Sequence, residues 1–403
     1  MSDAAGDEAD GDASDDAEIT PYETSDLGLT TYREPARKIK RSFAQWHRPR
    51  KQFVRKKQWL LEAWQMFEER APEEELKYLG LPGTDLLDLR VLHNDLCVPQ
   101  SRGLSFLGFH NAASEGSNES IDLDVSVQEL KQLPLVHELS EVVRDDIRKL
   151  GSPLTMAFKR AKESGPFDVV NLDLCGSAAE EEPLGIESMY EALNRVAALQ
   201  ALQPKTWLLL ITSRFDRDRV SSEAADHLLP LFVKALNCPE VSNSWEAVLA
   251  EEVCAGLIDR TLGASDLTDG QFVYAMATGF CMWLFERVQA HSHQRTNLRA
   301  SFCYHAAPGG KPADMVSLAL RFRRVIIASP DPAGLALGDA ESVDWCEVAH
   351  QVSGRISGME DLDQVLTADA ALRSELIDES ALLLEQARYD AAAYREWAAD
   401  YQS

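Results

Sequence analysis

Two short stretches set the tightest limit on what this chain can fold into. FDVVNLDLCG (167–176) and TWLLLITSR (206–214) are nearly continuous in apolar residues, and a helical pattern at 186–202 lies between them. A strand that is apolar on both sides has both faces covered, as happens in a parallel sheet flanked by helices. LKYLGLPG (76–83) and GLSFLGFH (103–110) repeat the theme, each followed by helical patterns. Further on, LRASFCYHA (298–306) and MVSLALRFRRVII (315–327) alternate and flank the turn PGGKPAD, which predicts an antiparallel hairpin. The reading is an α/β chain: a Rossmann-like doubly wound sheet ending in an antiparallel hairpin. This domain spans 70–330, contains a helical insertion at 218–295, and is followed by an acidic helical extension over 331–403. Within the insertion, Phe272–Phe285 holds neither charge nor proline. It is too short to span a bilayer and predicts a buried core helix, with no membrane partner.

Charge divides the N-terminal part. The formal net charge is −26, and residues 1–32 hold ten Asp/Glu and no Lys/Arg, the composition of a disordered acidic tail. Residues 33–59 reverse the sign, with eleven Lys/Arg and one Glu. Phe43, Trp46, Phe53 and Trp59 are interleaved with these cations, so 33–69 is read as a basic, aromatic helical segment. Cations meet phosphates and rings stack on bases, so nucleic acid is the partner this composition suits. Arg37, Lys38, Lys40, Arg41, Arg48, Arg50, Lys51 and Arg55 are the expected contacts. Two alternatives stand beside it. Trp59, Trp64 and Phe67 suit core packing, and the whole segment could dock onto the protein's own acidic surface.

Seven cysteines are scattered without CxxC spacing, which argues against a zinc ribbon and against a disulfide framework. With an acidic N-terminus lacking an apolar stretch, this predicts a reduced, cytoplasmic setting. His291 and His293 have no clustered Cys or acid near them in sequence, so no metal site is expected.

The candidate site lies at the ends of the predicted strands. Gly80 and Gly83 form a turn in which a backbone can approach a ligand, and Thr84 is expected to cap the helix that follows. Asn111 follows the second strand. Asp173 ends a central strand, where a doubly wound sheet places its ligands, although an ordinary turn cap would explain it as well.

Together GLPGTD, FDVVNLDLCGS and the late hairpin resemble the class I S-adenosylmethionine-dependent methyltransferases. FDVVNLDLCGS is similar to the FDVIDxDPFGS-like stretch of tRNA guanine-N2 dimethyltransferases through Phe167, Asp168, Val169, Val170, Leu172, Asp173, Gly176 and Ser177. The resemblance implies S-adenosylmethionine held by Gly80, Gly83, Thr84 and Asn111, with Asp173 as the catalytic residue beside a target base. It implies a methyltransferase-like protein acting on or sensing nucleic acid. This chain departs from the pattern at three places. The first strand carries no acid, His110 and Asn111 stand where an acid commonly binds the ribose, and Leu174–Cys175 replace a Pro-aromatic pair. Those departures suit the alternative: a catalytically inactive Rossmann-like binding module working with protein partners, for example in an anti-phage defence system.

Overall fold

A computed structural model describes residues 39–111, 117–180, 187–306, 312–325 and 343–399. The chain divides into two compact units, Met1–Lys40 and Arg41–Ser403. The expected acidic tail, and Arg37 and Lys38 with it, lie outside the described residues, and the fold described below is that of the second unit.

Among the described residues, eight strands form one sheet: β1 (Leu76–Gly80), β2 (Leu104–Phe109), β3 (Glu141–Val143), β4 (Val169–Asp173), β5 (Trp207–Arg214), β6 (Gln294–Tyr304), β7 (Met315–Arg324) and β8 (Glu360–Asp361). Their spatial order is β3-β2-β1-β4-β5-β7-β6-β8. β1 to β5 are mutually parallel, and β7 runs antiparallel between β5 and β6. This is the predicted doubly wound sheet with its terminal hairpin. The two apolar stretches pair directly, Val169 opposite Leu208 and Asp173 opposite Thr212. Two strands escape the sequence reading. β3 is three residues long inside a region read as helical, and β8 is only two residues long. Neither is long enough to show a period of two.

Thirteen α-helices occur among the described residues, and α1 to α9 divide between the two faces of the sheet. An N-terminal arm carries α1 (Pro49–Phe53), a π-helical stretch (Val54–Leu60) and α2 (Leu61–Glu68). Its Val54, Trp59, Ala63, Met66 and Phe67 pack with Tyr78, Val169, Leu208 and Leu210 on one face of the sheet. Core packing thus accounts for Trp59 and Phe67, while Trp46 is exposed. On the same face lie α3 (Leu87–Leu92) and α4 (Asn118–Lys131). The opposite face, through Leu79, Val170, Leu172, Leu209 and Ile211, receives α5 (Met156–Ser164), α6 (Met189–Gln200), α7 (Ser222–Leu236), α8 (Glu251–Ile258) and α9 (Asp269–His291). The expected core helix is the buried centre of α9. Among the described residues, no helix is long and apolar enough to cross a membrane. Gly279 brings α9 against α7, because a Cβ there would stand 2.3 Å from the Leu228 carbonyl oxygen.

The C-terminal region supplies α10 (Trp345–Ser357), α11 (Leu362–Ala368), α12 (Ala370–Gln386) and α13 (Ala391–Ala399). α12 and α13 form a separate apolar cluster with Leu87, Val91 and Phe43. One expectation about cysteine is corrected here. Cys238, just past α7, and Cys346, in α10, form a disulfide across 108 positions. No local spacing motif announces a bond closed by tertiary packing. Such bonds are uncommon in reducing compartments, so the scattered cysteines no longer argue for a cytoplasmic setting.

Candidate functional site

The turn after β1 is the first piece of the carboxyl edge. Leu81 N–H donates to the Asn171 carbonyl at 3.0 Å, which continues the parallel β1–β4 pairing one residue past the strand. At Gly80 a Cβ would stand 2.3 Å from that same carbonyl oxygen. The space that glycine opens is therefore filled by the protein's own backbone. Gly83 has φ +65° and open surroundings. Thr84 does not cap α3. The N-cap position is Leu86, in the left-handed region at φ 52° and with no side-chain cap bond. The intervening Asp85 is buried, accepts from Tyr389 Oη at 2.9 Å, and lies 3.6 Å from His47 Nε2. The turn is tied to the two ends of the unit.

After β2, His110 contacts Glu119 at 3.2 Å and Asn111 donates to Asp146 at 3.4 Å. Asn111 lines an open, polar cavity of about 480 Å³ with Arg144, Asp145, Asp146, Arg148, Lys149 and Glu187. Three cations face three acids there. Lys149 pairs with Asp145 at 2.7 Å, and Arg148 donates to Asp146 at 3.0 Å. Burial works against the Asp146 charge, yet the Arg148 bonds outweigh it and hold the carboxyl below its usual range. The lining includes neither Asp173 nor Gly80–Thr84.

At the end of β4, Asp173 contacts the Lys51 ammonium group, which also donates to Tyr304 Oη at 3.3 Å. Beside this pair lies Asp88, in α3 and fully buried. It accepts from Tyr78 Oη at 3.2 Å and Asn171 Nδ2 at 3.3 Å, with Arg55 Nε 3.7 Å away. Burial is the main cause that lifts Asp88 to about 6. Arg55 and Lys51 oppose the rise, and the Asp173 charge adds to it. Burial likewise drives the Tyr78 hydroxyl well up, reinforced by Asp88. These groups form a connected polar core at the place where an open α/β sheet commonly binds ligands.

The other basic candidates are also committed internally. Arg50 is buried and donates to Asp363 at 2.9 Å; that carboxylate also accepts from the His305 backbone at 2.8 Å. Arg55 donates to the Trp46 carbonyl at 3.2 Å. Arg48 lies 3.7 Å from the centroid of the Trp397 ring, and the exposed Arg41 donates to Asp390 at 3.0 Å. Lys40 belongs to the first unit. The arm's cations thus meet the protein's own acids and rings, the arrangement weighed against nucleic acid in the sequence. His305, Asp361 and Asp363 bring potential ligand atoms within 4.8 Å of one another. Asp363 is already engaged by Arg50 and His305, and Asp361 caps α11, so their lone pairs have partners.

Sequence reasoning singled out Lys51 and Asp173 but did not join them, and it missed Asp88, Tyr78, Asn171, Tyr304 and Asp363. The available signal was an acid inside an apolar helical run, Asp88 in LLDLRVL, since a buried carboxylate needs a partner.

Residues 40–399 match the family described as PP_RS20740-like. The chain belongs to that family. No curated protein matches it. Among solved structures it is similar to the plantazolicin methyltransferase BpumL, in complex with a monoazolic desmethylPZN analog and SAH. The two share 12% identity at a TM-score of 0.30, over 68% of this chain and 85% of that one.

Proposed function

We propose that this methyltransferase-like chain works as a binding module and does not carry methyl transfer at Asp173. The observation that supports this reading is the Lys51–Asp173 contact, flanked by the Asp88 network. The residues do not fit S-adenosylmethionine as the resemblance lays it out. Gly80 faces the Asn171 carbonyl, the end of β2 offers Asn111 bonded to Asp146 in place of a free acid, and Asp173 already has a cation. The ligand we assign is a small polar molecule carrying both charges, matched to the mixed-sign cavity at Asn111. A cavity of about 480 Å³ lies within the usual range for small-molecule sites. Protein partners belong to this reading.

Nucleic-acid contact loses support, because Arg50, Lys51 and Arg55 are buried against acids. The deciding experiment is calorimetric titration of the full chain with S-adenosylmethionine and S-adenosylhomocysteine. No heat is expected. Micromolar binding of either would overturn the reading. A gel shift over a salt series is expected to show no retardation of DNA or RNA.

A further inference from the structure

Lys51 is surrounded by more than one acid. Its ammonium group touches Asp173 and lies 3.3 Å from Tyr304 Oη. It is also 4.8 Å from the centroid of the Trp59 ring and 5.9 Å from that of the Tyr304 ring. Two oxygens take its N–H groups, and the Trp59 ring attracts the same charge, while Tyr304 meets it at the hydroxyl end. The walls come from three separate elements: β4, β6 and the π-helical stretch of the arm. The Lys51 side chain is 5% exposed, while Asp173 retains 19%.

From this arrangement the geometry points to a preformed site for a primary alkylammonium group, a carboxylate–aromatic cage that the chain closes in cis with Lys51. The inference goes beyond the binding reading above, because it holds whether or not the Asn111 cavity takes a ligand. The state of Lys51 agrees with it. Burial works against its charge, yet Asp173 and Tyr304 together outweigh burial and its pKa is raised. A tethered amine acts at high effective concentration, so a free amine reaches the cage only when the lysine is removed.

Lys51→Ala removes the atoms of n-propylammonium and leaves the half-buried Asp173 without its cation. Titrating n-propylammonium chloride into full-length Lys51→Ala is expected to raise Tm by roughly 2–4 °C near saturation. Propanol and tetramethylammonium, at matched concentration and ionic strength, are expected to leave Tm unchanged. Wild type and Lys51→Met, whose side chain fills the space without charge, should not respond to propylammonium. Lys51→Ala/Asp173→Asn should lose the response. A folded Lys51→Ala that ignores propylammonium, or responds equally to propanol, overturns the proposal, as does a response retained in the double variant. If Lys51→Ala does not fold alone, refolding yield with propylammonium against propanol provides the same decision.

Discussion

Asp88 is the residue whose setting has the clearest consequence for pH. Its carboxyl is lifted to about 6 in the folded chain, chiefly by burial. The unfolded chain titrates it near the ordinary aspartate value, so between these limits the folded state binds the extra proton. Its contribution to stability is therefore fully present below the unfolded value and is lost as pH rises through about 6. Asp88→Asn cannot titrate. Wild type should gain on the order of 2 kcal/mol relative to Asp88→Asn as pH falls from 7 to 4, measured by urea unfolding. A difference that stays flat across that window would sink the assignment. Little at this scale was legible in the sequence. Lys51 and Asp173 lie 122 positions apart, and Arg50 and Asp363 lie 313 apart. A run of cations looks solvent-facing when its acids are so remote, and only the assembled sheet brings them together.

At the scale of elements the sequence was more informative, because strands β4 and β5 are buried along nearly their whole length and β7 along most of its own. The helical insertion was legible for the same reason, but its internal contacts were not. Gly279 is one of them. Gly279→Ala places a methyl against the Leu228 backbone, which cannot swing aside as a side chain would. We expect a loss of about 1–3 kcal/mol in chemical denaturation, the usual range for overpacking. The Cys238–Cys346 bond, which ties the insertion to the C-terminal extension, was equally hidden. It joins α10 to the end of α7, where Lys234 also lies 3.9 Å from the centroid of the Trp345 ring. Closing a loop of 108 positions restricts the unfolded chain by about 4–5 kcal/mol on the loop-entropy estimate. Dithiothreitol should lower the wild-type Tm to that of Cys238→Ser/Cys346→Ser and leave the double variant unmoved. Equal Tm values with and without reductant in wild type would count against the bond.

Across the whole unit, the helices after the sheet act on the segment before it. Tyr394 Oη donates to the His47 carbonyl at 2.6 Å, Tyr389 holds Asp85, and Trp397 lies against Arg48. Deleting 370–399 should uncover Leu87 and Val91 and loosen the arm over the carboxyl edge. The expected signs are a lower Tm and increased binding of a hydrophobic dye, with proteolysis appearing first around residues 41–60. Unchanged protease resistance there would show that the arm holds without the extension.

The His47–Tyr394 bond also says something about how the protein is made. Its partners stand 347 positions apart. During synthesis at about 5–20 residues per second, the arm emerges on the order of tens of seconds before its last partner exists. Through that interval its cations and aromatic rings have only part of their final surroundings. A ribosome-bound nascent chain thus exposes a basic, ring-rich segment that the finished fold covers in large part, Arg41 and Trp46 apart. The stage at which this protein is most open to polyanions and chaperones is consequently its own translation.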